Sequence, residues 1–455
     1  MRPRAPRRAF MEDMVAGTAR AFEAGFAVLA LFLFSQAVVP LLMEGGGGEG
    51  ATAAQDGNMV LRLMFSSLHA VTLLLLALRW RASWRALVRN WSVVLLVVLA
   101  IASVAWSAAP DLTLRRSLAF MGTSACGVWL ASRYDLRSIL RLLAVAMGIA
   151  ALLSVAFAVG IPSYGVDQEV HVGAWQGVYT EKNTLGQMMA IGAVAFILVR
   201  MELERYRWVA TAGALLCIAL VLLSTAKTAL AVLVILAMVA AVSRPLRYNF
   251  NLGVAVVTGS VVVAGVAGTW LIGNLEGALT AMGKDPTLTG RTPMWATLIG
   301  TAMERPALGY GYSAFWLGKE GASGRALEAI GWDTPGAHNG YIDLALQLGL
   351  AGLIIFAVGF AIHFGRSVTA LRTTRGAHGF WPLLFLTFML LYNFTETMLA
   401  SGNNVFWVLY VATGCSWLLS RGAPEAPPAP TAPEPGLTPV QYARARRLLV
   451  NSRSG

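Results

Sequence analysis

The residue with the clearest chemical potential is a histidine. His338 lies in the stretch TPGAHNGYIDLALQLGL, with Pro335 and Gly336 before it, Asn339 and Gly340 after it, and an apolar run of membrane length directly downstream. A neutral imidazole takes up a proton near neutral pH, which suits a general base. The same placement also serves a helix-capping or interfacial histidine, and position alone does not choose between them. The other histidines are placed differently: His69 is in the middle of an apolar run, His171 in a bland hydrophilic stretch, and His363 and His378 flank a basic connection.

Cations form the second group. Arg115 and Arg116 lie in WSAAPDLTLRRSL, Lys182 in YTEKNTLGQ, Lys227 in STAKT and Arg291 in TGRTPMW. Ionisable groups at membrane depth are costly and mark functional sites by default. Taken singly, each is explained by snorkelling to head groups. Taken together, they suit a lipid-linked phosphate or diphosphate, because guanidinium groups hold phosphate oxygens bidentately. Acidic residues are sparse, and no Asp-x-Asp pair stands near these cations to hold a divalent metal. Glu396, near Asn393 in YNFTETMLASGNN, is placed to pair with an arginine, to orient His338 or to form a structural ion pair. Cys126, Cys217 and Cys415 all fall in apolar runs, offering neither a disulfide framework nor a metal cluster.

The elements that position these groups follow from composition. The 455 residues are 57% hydrophobic and 13% charged, against about 25% charged in a soluble domain. The chain therefore reads as an all-α polytopic membrane protein, since lipid leaves backbone groups no partners outside helices or closed barrels. Apolar runs of about 17–25 residues give twelve expected spans: 25–43, 59–78, 91–107, 114–131, 139–160, 184–200, 208–223, 226–243, 252–272, 341–362, 379–398 and 404–420. Only STAKT separates the seventh from the eighth, and a re-entrant reading of that pair stays open. With a cytoplasmic N-terminus, 25 of the 35 Lys and Arg fall inside and 9 outside, with Arg62 within the second span. This bias places both termini in the cytoplasm. The net charge of +12 is thus topology, and nucleic acid is not an expected partner. No cleavable signal peptide is read at the N-terminus.

The expected organisation is a basic cytoplasmic N-terminus at 1–24, spans 1–9 over 25–272, a large, partly helical periplasmic loop at 273–340, spans 10–12 over 341–420, and a Pro-rich basic cytoplasmic tail at 421–455. The first outer loop, EGGGGEGATAAQDGN, is glycine-rich, and the tail ends in the basic amphipathic VQYARARRLLV. The large loop is aromatic, with Trp295, Tyr310, Tyr312, Phe315, Trp316 and Trp332. Within it, TGRTPMWATLIGTAMERP reads as a helix: Thr292 caps, Pro293 suits the first turn and Pro306 follows the end. Met294, Trp295, Leu298, Ile299 and Ala302 then share one face. ALGYGYSAFW reads as a glycine turn carrying aromatics, so the loop is expected to fold as a cap over the outer ends of the spans.

SVAWSAAPDLTLRRS, YTEKNTLGQ, STAKT, TGRTPMW, GYGYSAFW, GAHNGYIDLALQLGLAG and YNFTETML, in that order over roughly residues 100–405, resemble the O-antigen ligase family. That superfamily also holds O-antigen polymerases and protein O-oligosaccharyltransferases. STAKT departs slightly, since the family more often has serine and arginine there. The resemblance implies a metal-independent, inverting glycosyltransferase of the inner membrane with a periplasmic active site and no cofactor. Its donor would be a glycan on undecaprenyl diphosphate, and its acceptor a sugar hydroxyl of lipid A–core oligosaccharide. It implies an essential histidine at His338 and essential arginines in and near the large loop, Arg291 the clearest match. Arg115, Arg116, Lys182, Lys227 and Arg291 are the expected diphosphate ligands. Asn183, Tyr312, Trp316, Asn339 and Glu396 are expected to support the site or contact sugars. A polymerase or protein oligosaccharyltransferase would use the same donor. A transporter of lipid-linked sugars would need polar residues spread along span interiors, and those are few.

Overall fold

The computed structural model describes residues 6–37, 39–42, 58–168, 171–248, 251, 291–374 and 376–420. The glycine-rich first outer loop, the ninth expected span, residues 273–290 and the tail at 421–455 lie outside the described residues. The chain divides into Met1–Leu419 and Ser420–Gly455, and the fold described is that of the first.

The principal helices of the described residues are joined by connections of varied length. In chain order these are α1 (Pro6–Phe34), α2 (Met59–Ala77), α3 (Trp80–Arg89), α4 (Trp91–Ala102, continued by a 3-10 turn at Ser103–Trp106), α5 (Pro110–Arg133), α6 (Leu136–Gly160) and α7 (Lys182–Arg200). Then follow α8 (Arg207–Leu223), α9 (Lys227–Tyr248), α10 (Arg291–Ala302), α11 (Gly321–Ile330), α12 (Gly340–Thr373), α13 (Trp381–Tyr392) and α14 (Val405–Ser420). Local chemistry sets several starts. Asn58 accepts from the Val60 and Leu61 amides and Asp135 from the Ser138 amide, each satisfying an orphan donor at a helix start. Pro110 opens α5 and Pro382 lies in the first turn of α13, where a missing amide hydrogen costs nothing.

By length and apolar composition, six described helices can cross a membrane: 17–34 of α1, α2, α6, α7, 227–247 of α9, and α12. The chain is thus a multi-pass membrane protein. The number rises to seven if α3 and α4, bent by 88°, form one span. Arg207–Leu223, Ala377–Tyr392 and Val405–Ser416 are shorter apolar helices. The segment expected at 379–398 stops being helical at Tyr392. There Asn393 donates from Nδ2 to the Met389 carbonyl (2.6 Å) and accepts from the Met398 amide (2.9 Å), so its side chain takes over from the helix ladder.

The interior is filled by Trp129, Trp381, Trp407, Phe120, Phe385, Phe388 and Phe406, all essentially inaccessible. Of the span helices, α7 is the most enclosed, with 72% of its apolar window buried, and it carries Lys182 and Asn183 at its start.

The described part of the large loop, 291–340, is folded and has its own small core of Met294, Leu298, Tyr310, Phe315, Ala326, Ala337 and Leu346. α10 begins at Arg291, so Thr292 lies inside the first turn rather than capping it. Ile299 is exposed, and the buried stripe is narrower than the sequence pattern implies. The cap docks on a break in α12. Gly349 adopts φ +63° and ψ −162°, where an added Cβ would collide with the Ala307 backbone. The freed backbone groups pair with the cap: Tyr310 N–H to Leu346 O (2.8 Å), Gly311 N–H to Gln347 O (3.0 Å) and Leu350 N–H to Pro306 O (2.7 Å). A broken helix in an apolar setting needs such partners, and the cap supplies them.

Candidate active site

His338 is held from both sides. Ala337, before it, accepts from Trp295 Nε1 at its carbonyl (2.9 Å) and donates its amide to the Asp343 carboxylate. Asn339, after it, caps α12 by accepting from the Tyr341 and Ile342 amides (3.0 and 3.2 Å). Gly340 donates to Asn393 O (2.8 Å) and leaves no room there for a side chain. Between these anchors His338 takes a left-handed backbone, φ +46°. For a residue with a Cβ this costs on the order of 1–3 kcal/mol and persists only where the surroundings over-determine it.

The imidazole faces a carboxylate. Nδ1 of His338 is 3.6 Å from Oε2 of Glu396, and the side chains are 26% and 21% exposed. Oε1 of Glu396 accepts from Asn183 Nδ2 (3.4 Å). Glu396 thus bridges the start of α7 to the start of α12. The facing Glu396 carboxylate, as the acceptor nearest Nδ1 and as a charge, pushes the histidine above its usual 6.5; burial and Arg291 work against this, and the Glu181 charge adds to it. Arg291, the first residue of α10, donates to the Thr395 carbonyl (3.1 Å), next to Glu396. His338, Glu396, Asn183 and Arg291, from four separate segments, therefore share one partly open locality.

Residues 212–357 match the family model described as O-antigen ligase. Over that stretch the chain is similar to the O-antigen ligase family. The matched stretch runs from α8 into α12 and contains Lys227, Arg291 and His338; Asn183 and Glu396 lie outside it. A curated relative, "Exopolysaccharide production protein ExoQ" of Rhizobium meliloti (strain 1021), is 28% identical over 279 residues, which cover 57% of this chain and 61% of that protein. The match therefore spans less than two thirds of the relative's length. A chain from the solved structure "Structural coordination of polymerization and crosslinking by a peptidoglycan synthase complex" aligns over 73% of this chain and 97% of its own, at 15% identity and a TM-score of 0.36, a likeness too weak to argue from.

The other cations are distributed unevenly. Lys182 opens α7 beside Asn183 and reaches Thr225 Oγ1 (3.5 Å), and Lys227 opens α9 close enough for the two charges to repel. This brings STAKT to the locality of His338 through Asn183. Arg116 donates to the Ser313 carbonyl and hydroxyl (2.7 and 3.1 Å), anchoring the aromatic loop. Arg115 is exposed, with Nε on the Asp111 carbonyl of its own helix (3.3 Å).

Three residues expected to support the site or contact sugars occupy supporting positions. Tyr312 is buried, stacks on Phe120 and donates its hydroxyl to Ala400 O (2.6 Å), so its ring face is not open to a sugar. Asn339 is buried and committed to its cap. Trp316 is half-buried, packs its ring on Phe315 and donates Nε1 to Asp343 (2.8 Å). Asp343, which the sequence reading passed over, organises this wall. Its carboxylate accepts from Trp316, the Ala337 amide and the Thr397 hydroxyl, tying the aromatic loop, the His338 loop and the Glu396 turn together. The signal was an acidic residue one turn into a membrane-length helix, which by default marks function or a specific partner. Among the described residues, no group of three or more His, Cys, Asp or Glu is placed to hold a metal ion.

Proposed function

We propose that this protein is a member of the O-antigen ligase family and transfers a glycan from undecaprenyl diphosphate to a sugar hydroxyl of lipid A–core oligosaccharide, on the periplasmic side of the inner membrane. The observation that carries the reading is the Asn183–Glu396–His338 chain beside Arg291. In this scheme Glu396 accepts from the Nδ1 hydrogen of His338, leaving the Nε2 lone pair free for the acceptor hydroxyl proton. The acceptor oxygen attacks the anomeric carbon and the bond to the diphosphate oxygen breaks. The configuration at carbon inverts, and the proton ends on Nε2. Glu396 stabilises the imidazolium that forms. The leaving group already carries low-pKa phosphates, so its need is charge neutralisation rather than protonation. Arg291, with Lys182 and Lys227 nearby, is positioned for that, and Arg115 and Arg116 belong to the same proposed diphosphate set. No cofactor enters the reaction. Both substrates are lipid-anchored, and confinement to one bilayer helps to bring them together.

The segment 273–340 acts in this reading as the catalytic loop; the positive-inside bias supports a periplasmic loop and cytoplasmic termini. A second reading is favoured by the name of the relative, which refers to exopolysaccharide production: the acceptor is then the sugar hydroxyl of a second lipid-linked glycan, and the enzyme a polymerase. The chemistry at His338 is the same in both. Purified protein incubated with undecaprenyl-diphosphate glycan and either lipid A–core or a second lipid-linked glycan separates them. Joined lipid A–core product supports the ligase, a ladder of longer lipid-linked chains supports the polymerase, and no glycan transfer to either acceptor contradicts both.

A further inference from the structure

The helix α3 stands apart from the candidate site, and nothing in the proposed reaction uses it. Its sequence, WRASWRALVR, has three faces at the helical period of 3.6 residues. Ser83 and Ala86 are buried, and they face the bundle because small side chains allow close approach. Trp80, Trp84 and Val88, spaced four apart, form one exposed row, at 62%, 63% and 55% exposure. Arg81, Arg85 and Arg89 form a second row one residue further round, displaced by about 100°. α3 is bent 88° from the apolar α4 that follows it. If α4 runs along the membrane normal, α3 lies in the membrane plane.

The surroundings fix the end of the bundle at which this happens. Arg79, at the start of α3, pairs with Glu23 (3.5 Å), and Arg133 at the end of α5 pairs with the same carboxylate. Arg137, in the first turn of α6, pairs with Glu202 in the connection between α7 and α8 (2.9 Å). Arg205 in that connection lies over Tyr206 (5.4 Å), and Arg207 in the first turn of α8 lies over Trp208 (5.3 Å), as Arg81 lies over Trp80 (5.6 Å). Tyr206 and Trp208 are exposed. Arginine beside an exposed aromatic ring therefore recurs at one level of the bundle, the end opposite His338. Indole rings settle at the membrane–water boundary, and arginines hold phosphate oxygens bidentately.

We propose that α3 is an in-plane interfacial helix that binds the head groups of anionic phospholipid: Arg81, Arg85 and Arg89 contact lipid phosphates while Trp80, Trp84 and Val88 enter the acyl boundary. An isolated apolar face would leave the occupant open. Here the apolar row and the cationic row lie on adjacent flanks of a helix perpendicular to its span. That arrangement matches a bilayer surface, with its hydrocarbon on one side and its phosphates on the other.

The test uses the full chain in lipid nanodiscs of phosphatidylcholine with and without phosphatidylglycerol. The native cysteines, Cys126, Cys217 and Cys415, are buried, so nitroxide labels introduced through Val88→Cys and Arg85→Cys report their own sites. The Val88 label is expected to collide with oxygen and be shielded from an aqueous nickel chelate, with the Arg85 label showing the reverse. Lipid retained around the protein, measured by mass spectrometry, is expected to be enriched in phosphatidylglycerol. The Arg81→Gln/Arg85→Gln/Arg89→Gln variant should lose that enrichment, by up to about five-fold per arginine, whereas Arg325→Gln in the cap should keep it. Equal access of the nickel chelate to both labels would overturn the proposal, as it would if α3 instead awaited a protein partner. Undiminished enrichment in the triple variant would overturn it too. The label pair decides the outcome even if the triple variant fails to fold.

Discussion

Two histidine–glutamate pairs lie near the two ends of α12, and they are built differently. At the far end, Glu202 accepts from the His378 amide (2.8 Å) and ring, and pairs with Arg137 (2.9 Å). Its side chain is 10% exposed and that of His378 15%. Nearby Arg247 donates to the Thr374 and Gly376 carbonyls and lies over Phe380. At the near end, His338 meets Glu396 at the longer distance of 3.6 Å, both side chains are more open, and the histidine backbone is left-handed. The Glu202 carboxylate is saturated by bonds that join helix ends. The second pair is more open, and its histidine is held in a conformation that costs energy. A histidine beside a carboxylate is thus not a catalytic signature by itself; openness and backbone strain make the distinction.

The largest effect that sharpens this contrast is on transfer. His338→Gln keeps hydrogen bonding but takes up no proton, and glycan transfer should fall by about 10²–10⁴-fold with donor binding little changed. His378→Gln should leave transfer within a few-fold of wild type. Transfer and donor binding measured on the same purified variants check both, and equal losses in the two would erase the distinction. Next in size is Arg291→Ala, which should cost about 2–4 kcal/mol of transition-state stabilisation, read as a drop in kcat/KM. Arg291→Lys should recover part of this by restoring charge without the bidentate fork. Unchanged kcat/KM in the alanine variant would remove Arg291 from the diphosphate site.

At the saturated end the effect is on stability. Glu202→Gln leaves Arg137 and His378 imperfectly paired and should cost about 1–3 kcal/mol, seen as a lower melting temperature in detergent with specific activity retained at low temperature. Burial raises the Glu202 carboxyl, but hydrogen bonds from His378 and the His378 and Arg137 charges outweigh this and hold it below its ordinary 4.5. Its contribution is therefore complete above 4.5 and lost as pH falls through the lowered native value. A melting temperature as acid-sensitive in Glu202→Gln as in wild type would contradict the assignment.

Much of this arrangement was legible in particular residues. The apolar runs mark the helices, Asn58 and Asp135 mark starts, and His338 stands out because its neighbours are turn residues at the head of an apolar run. Other features depend on contacts that no local pattern encodes. Asn183 and Glu396 are 213 positions apart, and nothing in their spacing announces the pair. Tyr312 is expected to support the site or contact sugars, and the choice between the two depends on how its loop folds. Gly309 and Gly311, at φ +66° and +104°, turn that loop inward, and the ring meets Phe120 instead. The helix end at Tyr392 was misplaced because hydropathy continues past it while the Asn393 side chain takes the backbone bonds. Asp343 carried a readable signal, an acid in an apolar helix, but its partners, Trp316 and Thr397, become neighbours only through the cap.

The pH dependence of transfer tests most directly whether His338 is a base tuned by Glu396. The neutral imidazole is the active form, and Glu396 holds its pKa above 6.5, so wild-type kcat/KM should fall as pH drops through a value above 6.5. Glu396→Gln removes the carboxylate charge and leaves burial and Arg291, which lower the pKa, opposed only by the more weakly acting Glu181 charge. Its acid limb should therefore move to lower pH even as its plateau rate declines. An acid limb at the same pH in both proteins, or one in the wild type that lies below 6.5, would contradict the account.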